Sequence, residues 1–356
     1  MNNSLVAVIE IGGSHDECLC FQVNTFIANK IAYCFIADDA VIARNPKIVE
    51  HATAVLAINT KGKAISDFLK MIQIKRFLRA HDIQKVVFNT AQGGHIRNLA
   101  LILPKHIACY GFIHTIRKFS TSKTQRVIDR CMKKYAVLSD DLLQRIAPNA
   151  YPKQTALYAL EFEEGTCIDI PKKENECWLA LTGGVENRRK DLASIVSFMQ
   201  QAPTTKWIFL GRTNKELADV KTFLADLDEH HLSDRVVLFD SFLSNDVFFS
   251  YLKKCDFIIP LIHENTASSN EYIHHQISGA FNLSFAYHIP LLIQKTYEAE
   301  EDLNKAAFFY TNDTFEETLD NALNNYKEKK AVIQSVEKWS VDYQQTRYLN
   351  WLDLNK

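Results

Sequence analysis

The sequence predicts an α/β protein built from two doubly wound domains, and three observations support this. Short apolar segments such as "LVAVIEI" alternate with longer segments of helical period such as "SDFLKMIQIKRFLRAHD". The apolar segments are nearly continuous, as expected where helices cover both faces of a parallel sheet. The same alternation occurs twice within 356 residues, a length that suits two domains.

Composition argues against several classes of protein. Hydrophobic residues are 47% and charged residues 23%, as in ordinary globular proteins. The net charge of −1 argues against a nucleic-acid partner and against a strongly basic membrane-surface protein. The eight cysteines include no C-x-x-C pair, which favours reduced thiols in the cytoplasm. We see no signal peptide and no apolar run near the roughly 20 residues that span a bilayer. We therefore expect a cytoplasmic protein, whose work at a membrane would be done from the inner face.

The first domain is predicted over residues 1–165. Its clearest helix is "SDFLKMIQIKRFLRAHD", with Ser66 as N-cap and an apolar stripe facing the sheet. That stripe consists of Phe68, Leu69, Ile72, Ile74 and Leu78. The strands are expected at "LVAVIEI", "IAYCFIA", "AVLAIN", "KVVFNT", "HIACYGFIH" and "KYAVLS".

The second domain is predicted over residues 175–330, after a charged connection that contains Gly165 and Pro171. Residues 331–356 are predicted to form a C-terminal helix that packs back on the domains. The strands of the second domain are expected at "CWLALTG", "KWIFLG", "RVVLFD", "DFIIPLI" and "IPLLI".

Ligands of open α/β sheets bind beyond the carboxyl ends of the strands, so the turns after strands are the places to examine. "LTGGVENRRKD" places two glycines and then three cations before a helix, and "FLGR" repeats the arrangement of strand, glycine and cation. Glycines let the backbone approach a ligand, and helix N-termini and cations favour phosphate. The alternative is a tight turn followed by a solvated run of charge.

A third turn follows the strand "DFIIPLI". It leads through a polar loop to "SGAFNLSFAYHIPLLI", where Ser278 and Gly279 would present a hydroxyl and amide groups at a helix start.

These three turns, in this order and spacing, resemble the nucleotide-sugar-binding domain of GT-B glycosyltransferases, in particular the family 4-like, group 1 type. The resemblance covers residues 177–295 and extends more loosely to "HDIQKVVFNT" and "YGFIHTIRKFS" in the first half. It implies two Rossmann-like domains that face each other across a cleft.

The sequence departs from that family at one motif. Many retaining members carry two glutamates separated by seven residues before the last strand of the motif. Here those positions hold His275 and Leu283, while Glu264 and Glu271 lie at another offset, and His288 stands where glycine is usual. The paired-glutamate motif is thus divergent, and both an inverting and a retaining reaction stay open.

The resemblance implies a set of donor-binding residues, with His114 approaching the donor sugar. A histidine at a strand end can also be purely structural. Cations near the diphosphate would replace a metal ion, and we expect no metal site and no cofactor. The donor-binding set is Gly13, His114, Gly183, Gly184, Arg188, Arg189, Lys190, Gly211, Arg212, Glu264, Tyr272, Ser278 and Gly279.

The candidate catalytic residues follow the first strand. In "IEIGGSHDECL", His15, Asp16 and Glu17 come directly after two glycines. We interpret Asp16 or His15 as the base for an acceptor hydroxyl, with Glu17 orienting it. The alternative is that Ser14 or Asp16 caps the first helix and Glu17 interacts favourably with the helix dipole.

The sequence therefore predicts a metal-independent glycosyltransferase that moves a sugar from a nucleotide sugar to a glycan or lipid-linked acceptor, in surface polysaccharide or glycolipid synthesis. The alternatives are a GT-B-type nucleotide-sugar epimerase and a non-catalytic subunit that binds a nucleotide sugar. A cationic cluster would touch anionic lipid headgroups beside a lipid-linked acceptor, or would form a solvated helix face. The cluster consists of Lys118, Lys123, Arg126, Arg130, Lys133 and Lys134.

Overall fold

The computed structural model describes residues 5–12, 15–60, 64–147, 153–162 and 165–354. The chain divides into two compact units. Unit 1 comprises Met1–Phe162 and Val341–Lys356, and unit 2 comprises Glu163–Ser340.

Unit 1 is built on a parallel seven-stranded sheet in the order β3-β2-β1-β4-β5-β6-β7. The strand order reverses between β1 and β4. The strands are β1 Val6–Glu10, β2 Tyr33–Ala37, β3 Ala54–Ala57, β4 Lys85–Phe88, β5 Ala108–Ile113, β6 Lys134–Val137 and β7 Lys153–Ala156. The helices are α1 Asp16–Ala28, α2 Asp39–Arg44, α3 Pro46–Glu50, α4 Ala64–Ala80, α5 Gly94–Ile102, α6 Arg117–Thr121, α7 Lys123–Asp129 and α8 Asp140–Gln144.

Unit 2 is built on a parallel six-stranded sheet in the order β10-β9-β8-β11-β12-β13. Its strand order reverses between β8 and β11. The strands are β8 Cys177–Thr182, β9 Thr205–Arg212, β10 Val236–Phe239, β11 Phe257–Ile258, β12 Leu291–Gln294 and β13 Ala307–Tyr310. The helices are α9 Leu192–Gln201, α10 Ala218–Glu229, α11 Asn245–Lys254, α12 Ser269–His274, α13 Gly279–Tyr287, α14 Glu301–Ala306, α15 Phe315–Asn324 and α16 Tyr326–Ser335.

The C-terminal segment returns to unit 1. Helix α16 ends in unit 2, a 3₁₀ turn at Glu337–Trp339 follows, and the last helix, α17 Val341–Trp351, packs in unit 1. Tyr348 and Trp351 are buried there, and the indole N–H of Trp351 donates to the carbonyl oxygen of Tyr135 at 3.1 Å. The single helix predicted over residues 331–356 is therefore divided, because Trp339 is held in unit 2, where it stacks on Phe285.

Helix α4 differs from its sequence prediction. It begins at Ala64, so Ser66 lies in its first turn and is not its N-cap. The stripe that faces the sheet contains Met71, Ile74 and Leu78, all fully buried, whereas Phe68 and Leu69 are 42% and 59% exposed. Apolar residues occur on two faces of this helix, and the spacing 71, 74 and 78 selects the buried one.

Among the described residues, no helix is both long and apolar enough to cross a membrane.

Candidate functional site

Polar side chains gather where the strand order of unit 1 reverses, beyond the carboxyl ends of β1 and β4. Such a reversal opens a crevice and is the usual ligand position in a doubly wound sheet. Glu10, the last residue of β1, is fully buried, and so is Asn89, the first residue after β4. The end of β1 positions the loop that carries the predicted catalytic residues, and the end of β4 lies beside it.

Glu10 joins the two loops by hydrogen bonds. One carboxylate oxygen accepts from the backbone N–H of Gly12 at 2.6 Å, and the other accepts from Asn89 Nδ2 and Thr90 Oγ1, each at 2.7 Å. Burial raises the pKa of Glu10, and the hydrogen bonds from Thr90, Asn89 and Gly12 offset this only in part. The buried carboxylate therefore connects the β1–α1 loop to the residues that follow β4 by hydrogen bonds.

The hydrogen-bond network of Glu10 and Asn89 extends to α17. Gln22 of α1 donates to Asn89 Oδ1 at 2.7 Å, and Tyr348 donates to Gln22 Oε1 at 3.1 Å. The C-terminal helix is thus connected to the strand-order reversal through buried hydrogen bonds.

His15 is held in a specific orientation just before α1. Its backbone is left-handed, with φ of 64°, and Asn89 Nδ2 donates to its carbonyl oxygen at 3.0 Å. Its Nδ1 lies 3.1 Å from Glu17 Oε1. Burial alone would lower the pKa of His15, but the hydrogen bond and charge of Glu17, with smaller effects of Glu10 and Asp16, raise it overall. The pair has the geometry of an imidazole base oriented by a carboxylate.

His114, directly after β5, lies against His15. The two rings stack with centroids 3.6 Å apart, and His114 Nε2 lies 2.8 Å from the carbonyl oxygen of Asn89. That carbonyl can only accept, so Nε2 carries the proton and Nδ1 is the acceptor nitrogen. Burial and the neighbouring His15 lower the pKa of His114 to about 4. His114 is therefore neutral at pH 7.

Asp16 is engaged elsewhere. Its carboxylate accepts from Arg44 Nε at 2.8 Å and Nη2 at 3.1 Å, and from Asn45 Nδ2 at 3.2 Å. Of the two candidates for the base, the geometry favours His15, because Asp16 is bound to a guanidinium. Gly13 lies outside the described residues.

The unit 1 cluster also has the composition of a metal ligand set. Among the described residues, ligand atoms of His15, Glu17 and His114 lie within 4.8 Å of one another. Imidazole and carboxylate groups are ligands that Zn²⁺ accepts.

In unit 2, the glycine turn after β8 packs against the end of β9, in which Gly211 lies. Gly183 has a φ of 86°, a left-handed conformation that favours glycine. A Cβ on Gly211 would overlap the carbonyl group of Gly183, whereas a Cβ on Gly183 or Gly184 would meet nothing within 4 Å. The absence of a side chain at Gly211 thus lets the Gly183–Gly184 turn lie against β9, with open space above the turn.

A buried cluster occupies the strand-order reversal of unit 2. Asp191 accepts from His263 Nδ1 at 2.9 Å and Asn265 Nδ2 at 3.1 Å, and Tyr310 lies 2.9 Å from His263 Nε2. The hydrogen bond from His263 holds the pKa of Asp191 well below its usual range. Asp191 also caps α9 by accepting from the N–H of Ser194. The start of α9 therefore already carries a carboxylate and is not the open phosphate site expected from the sequence.

The three cations after the Gly183–Gly184 turn have different environments. Arg188 and Arg189 are exposed, and both pair with Glu186. Lys190 is buried, donates from Nζ to the carbonyl oxygen of Thr182 at 2.7 Å, and has its pKa lowered to about 8 by burial and by Arg189. Lys190 thus ties the helix start to the end of β8.

The loop after β11 meets this segment. Ser268 donates from its N–H, at 3.0 Å, and from its hydroxyl to the carbonyl oxygen of Arg188. Glu264 is exposed, and its carboxylate accepts from Thr296 at 2.8 Å. Tyr272 lies in α12 and is half-buried. The structure therefore brings the first and third sequence motifs of unit 2 together.

Arg212 and Gly279, the first residue of α13, are exposed, whereas the N-cap Ser278 is buried. Arg212 ends β9, and its guanidinium has no hydrogen-bond partner among the described residues. Ser278 caps α13 by accepting from Ala280 at 3.4 Å, and a Cβ on Gly279 would meet nothing within 4 Å. Both features can accept an anion.

Comparison with known proteins gives a consistent fold. Neither a family model nor a curated protein matches the sequence. Among solved structures, a glycosyltransferase from Rickettsia africae ESF-5 matches with a TM-score of 0.70 at 9% identity, over 99% of this chain and 98% of that one. Anabaena HepE in complex with UDP and glucose matches with a TM-score of 0.66 at 12% identity, over 98% and 99%. UDP-GlcNAc 2-epimerase from Neisseria meningitidis bound to UDP-GlcNAc matches with a TM-score of 0.60 at 12% identity, over 99% and 100%.

The chain has the GT-B fold. Both sheets are parallel, as the sequence predicted. The edge strands β7 of unit 1 and β13 of unit 2 were not among the predicted strands. The family 4-like assignment and the paired-glutamate motif stay predictions. His288 has a φ of 55°, a left-handed conformation that favours glycine.

The sequence analysis did not identify the buried polar residues that lie at the strand-order reversals of the two units. Glu10 could have been found from the sequence, because it is a carboxylate inside an otherwise apolar strand. A buried carboxylate is rare unless other groups pair with it or donate hydrogen bonds to it. Asp191 could also have been found, since Asp before an apolar helix is an N-cap pattern. Asn89 and His263 follow strands whose neighbours are known only once the strand order is known.

Proposed function

We propose that this protein is a glycosyltransferase that moves a sugar from a nucleotide-sugar donor to a hydroxyl acceptor. The observation that carries the proposal is the His15–Glu17 pair at the strand-order reversal of unit 1, within a GT-B fold. HepE, a solved structure of similar fold, holds UDP and glucose. That likeness supports a nucleotide sugar as the donor class.

In the proposed reaction, unit 2 binds the donor. The start of α13 at Ser278 and Gly279 offers amide groups to the diphosphate, and Arg212 offers a guanidinium. The open space above Gly183 and Gly184 admits the donor close to the backbone. Fixed positive groups of this kind stabilise the negative charge that develops on the departing diphosphate.

Unit 1 supplies the base in an inverting transfer. His15 Nε2 takes the proton of the acceptor hydroxyl while that oxygen attacks the anomeric carbon and the diphosphate leaves. Glu17 accepts from Nδ1, fixes the tautomer and stabilises the imidazolium that forms. His114, neutral and stacked on His15, gives the base an uncharged neighbour. The acceptor is a glycan or lipid-linked hydroxyl of surface polysaccharide or glycolipid synthesis.

We further propose that transfer needs no metal, because Arg212 and the amides of α13 do the work of a divalent cation at the diphosphate. Activity should then survive EDTA. Added Zn²⁺ should inhibit, since binding to the cluster of His15, Glu17 and His114 would occupy the base. Loss of activity in EDTA, restored by a divalent ion, would show that the cations of unit 2 do not suffice.

The donor proposal is tested by thermal unfolding with UDP, GDP, dTDP and CMP and their sugars. A ligand at 100 times its Kd stabilises the protein by about 2.7 kcal/mol, which is readily measured. We expect one nucleotide class to raise the Tm, and Arg212→Ala to remove the rise. Lys327→Ala, an exposed cation elsewhere in unit 2, is the matched control. If no nucleotide raises the Tm of the folded chain, donor binding is ruled out.

A nucleotide-sugar epimerase is the second candidate. The observation that favours it is the similarity to 2-epimerase structures over nearly the full chain. An epimerase needs no acceptor, so incubation with the nucleotide sugar alone distinguishes the two. Formation of an epimer under those conditions supports the epimerase, whereas turnover that requires an added acceptor supports the transferase.

A further inference from the structure

Helix α4 exposes an apolar surface that the fold does not use. Ile65 is 80% exposed, Leu69 59% and Phe68 42%, although these side chains are large and apolar. Ile65, Leu69 and the half-buried Ile72 follow one another at helical spacing, on the side opposite Met71, Ile74 and Leu78. These exposed residues form one contiguous stripe.

The same side of α4 becomes cationic toward its C-terminus. Lys75, Arg76 and Arg79 are exposed and have no ion-pair partner among the described residues. The one carboxylate of the helix, Asp67, is buried and lies 3.2 Å from His95 Nε2 of α5. We call the surface formed by Ile65, Phe68, Leu69, Lys75, Arg76 and Arg79 the α4 face. Among its described side chains it presents apolar groups and positive charge and no negative charge.

The sequence of unit 1 is basic as a whole. The sequence of unit 1 contains 23 Lys and Arg against 14 Asp and Glu, a net charge of +9, whereas unit 2 contains 18 against 28, a net charge of −10. Between Asp82 and Asp129 there are seven Lys and Arg and no acidic residue. The near-zero charge of the whole chain therefore conceals a strongly basic unit.

Only part of the cationic cluster expected from the sequence is available. Lys133 and Lys134 pair with Asp353, whereas Lys123, Arg126 and Arg130 are exposed.

We propose that the α4 face docks on a lipid bilayer that carries anionic headgroups. A helix that lies in the membrane interface buries its apolar side chains at the boundary of headgroups and acyl chains, while its Lys and Arg meet the anionic headgroups. The α4 face has both components on one side of one helix. A symmetric contact with a second copy would place Lys75, Arg76 and Arg79 opposite the same cations if the helices ran parallel, and opposite Ile65 and Leu69 if they ran antiparallel. Neither arrangement supplies a negative charge for these cations, which disfavours that occupant.

The proposal is tested by flotation of the full chain with vesicles. One set contains phosphatidylcholine alone, and the other contains equal parts of phosphatidylcholine and phosphatidylglycerol. We expect binding to the anionic vesicles, weakened by salt, and little binding to the neutral ones. Each cation near the surface is worth roughly a fivefold change in affinity, so replacing Lys75, Arg76 and Arg79 together by Ser should weaken binding about 100-fold.

Two further variants separate apolar insertion from general charge. Ile65→Ser with Leu69→Ser should weaken binding to the anionic vesicles although the charge is unchanged. Phe242→Ser and Lys327→Ser, at exposed positions of unit 2, are the matched controls and should bind like the wild type. All of these positions are exposed, so circular dichroism and the Tm should show an unchanged fold.

Three outcomes would overturn the proposal. The first is equal flotation of the wild type with neutral and anionic vesicles. The second is equal weakening by the α4 variants and the unit 2 controls. The third is a dimer in sedimentation velocity that the α4 variants abolish while vesicle binding is absent, which would make a second copy the occupant. None of these measurements depends on catalytic activity.

Discussion

At the scale of single residues, Glu17 sets the proton affinity of the proposed base. Its Oε1 lies 3.1 Å from His15 Nδ1, and the bond and its charge overcome the effect of burial, so the pKa of His15 is raised. A base acts only when it is deprotonated, so kcat/KM should fall below this pKa. Glu17→Gln keeps an acceptor oxygen but removes the charge, so the acidic limb should move to lower pH and the maximal rate should fall at least about tenfold.

The pH profile of kcat/KM measures this prediction. His15→Gln should lower the rate by about 10² to 10⁴ and remove the limb altogether. Asp16→Asn is the control, because Asp16 makes no hydrogen bond to His15 and is held by Arg44, so the limb should move less than in Glu17→Gln. An acidic limb that stays in place in Glu17→Gln would contradict the assignment of His15.

A second prediction concerns His114 and the pH dependence of the free energy of unfolding. Its pKa is lowered to about 4 in the folded chain, by burial and by His15, whereas an unfolded histidine titrates near 6.5. Above pH 6.5 both states are neutral and His114 has no effect on the pH dependence. Between pH 6.5 and 4 the unfolded chain binds the extra proton, so His114 removes up to about 3 kcal/mol of stability as the pH falls.

His114→Phe keeps a stacking partner for His15 and removes the titrating group. The free energy of unfolding of the variant, measured by urea at several pH values, should decline less than that of the wild type between pH 6.5 and 4. A parallel decline in the two proteins would show that His114 is not a buried neutral group. His106→Phe, which makes the same substitution at an exposed histidine of unit 1, is the matched control.

A site residue could be predicted from the sequence where a short, local pattern marks its position. His15, Asp16 and Glu17 follow a strand and two glycines, so their place at a strand end is visible in eleven letters of sequence. The choice between His15 and Asp16 needed Arg44, which is 28 residues away from Asp16 and is brought to it by the fold. A long-range contact of that kind leaves no pattern in the local sequence.

At the scale of elements, the packing of β8 against β9 depends on a missing side chain. A Cβ on Gly211 would overlap the backbone of Gly183, and backbone cannot move aside as a flexible side chain can. Gly211→Ala should therefore displace the Gly183–Gly184 turn and cost about 1–3 kcal/mol of stability, as overpacking does. Gly184→Ala meets open space and should leave the Tm nearly unchanged while it weakens nucleotide binding.

Urea unfolding and nucleotide titration of both variants measure this prediction. The two substitutions add the same methyl group at the end of β9 and in the turn after β8, so each is the control for the other. Equal stability of Gly211→Ala and the wild type would contradict the close approach of the two strands.

The elements themselves were largely predictable, because strand and helix periods are local. It was harder to predict from the sequence which face of a helix is buried. In α4, apolar residues occupy two faces, and only the packing on the sheet selects Met71, Ile74 and Leu78 over Phe68 and Leu69. The unexpected exposure of Phe68 and Leu69 is what revealed the α4 face.

At the scale of the whole molecule, each unit has its own sheet and its own buried core, and the chain crosses between them twice. Unit 2 is one continuous segment, whereas unit 1 is completed by α17, whose Tyr348 and Trp351 are buried in it. The net charge of −1 predicted an unremarkable surface, yet it is the sum of a basic unit and an acidic one. Whole-chain averages conceal properties that belong to one unit.

Two separate cores predict two unfolding transitions, since cooperativity extends only as far as shared packing. In calorimetry of the full chain, the nucleotide that binds should raise the midpoint of one transition, that of unit 2, by the linkage of binding to folding. Tyr348→Phe should lower the midpoint of the unit 1 transition alone. It leaves Gln22 Oε1 without its hydrogen bond from Tyr348, and one lost buried bond costs about 1–3 kcal/mol.

Arg212→Ala should keep both midpoints in the absence of nucleotide, and it should remove the increase that the nucleotide causes in the midpoint of the unit 2 transition. If a nucleotide raised the midpoint that Tyr348→Phe lowers and left the other unchanged, the donor would bind unit 1, and the assignment of the donor site to Arg212 and the start of α13 would be wrong.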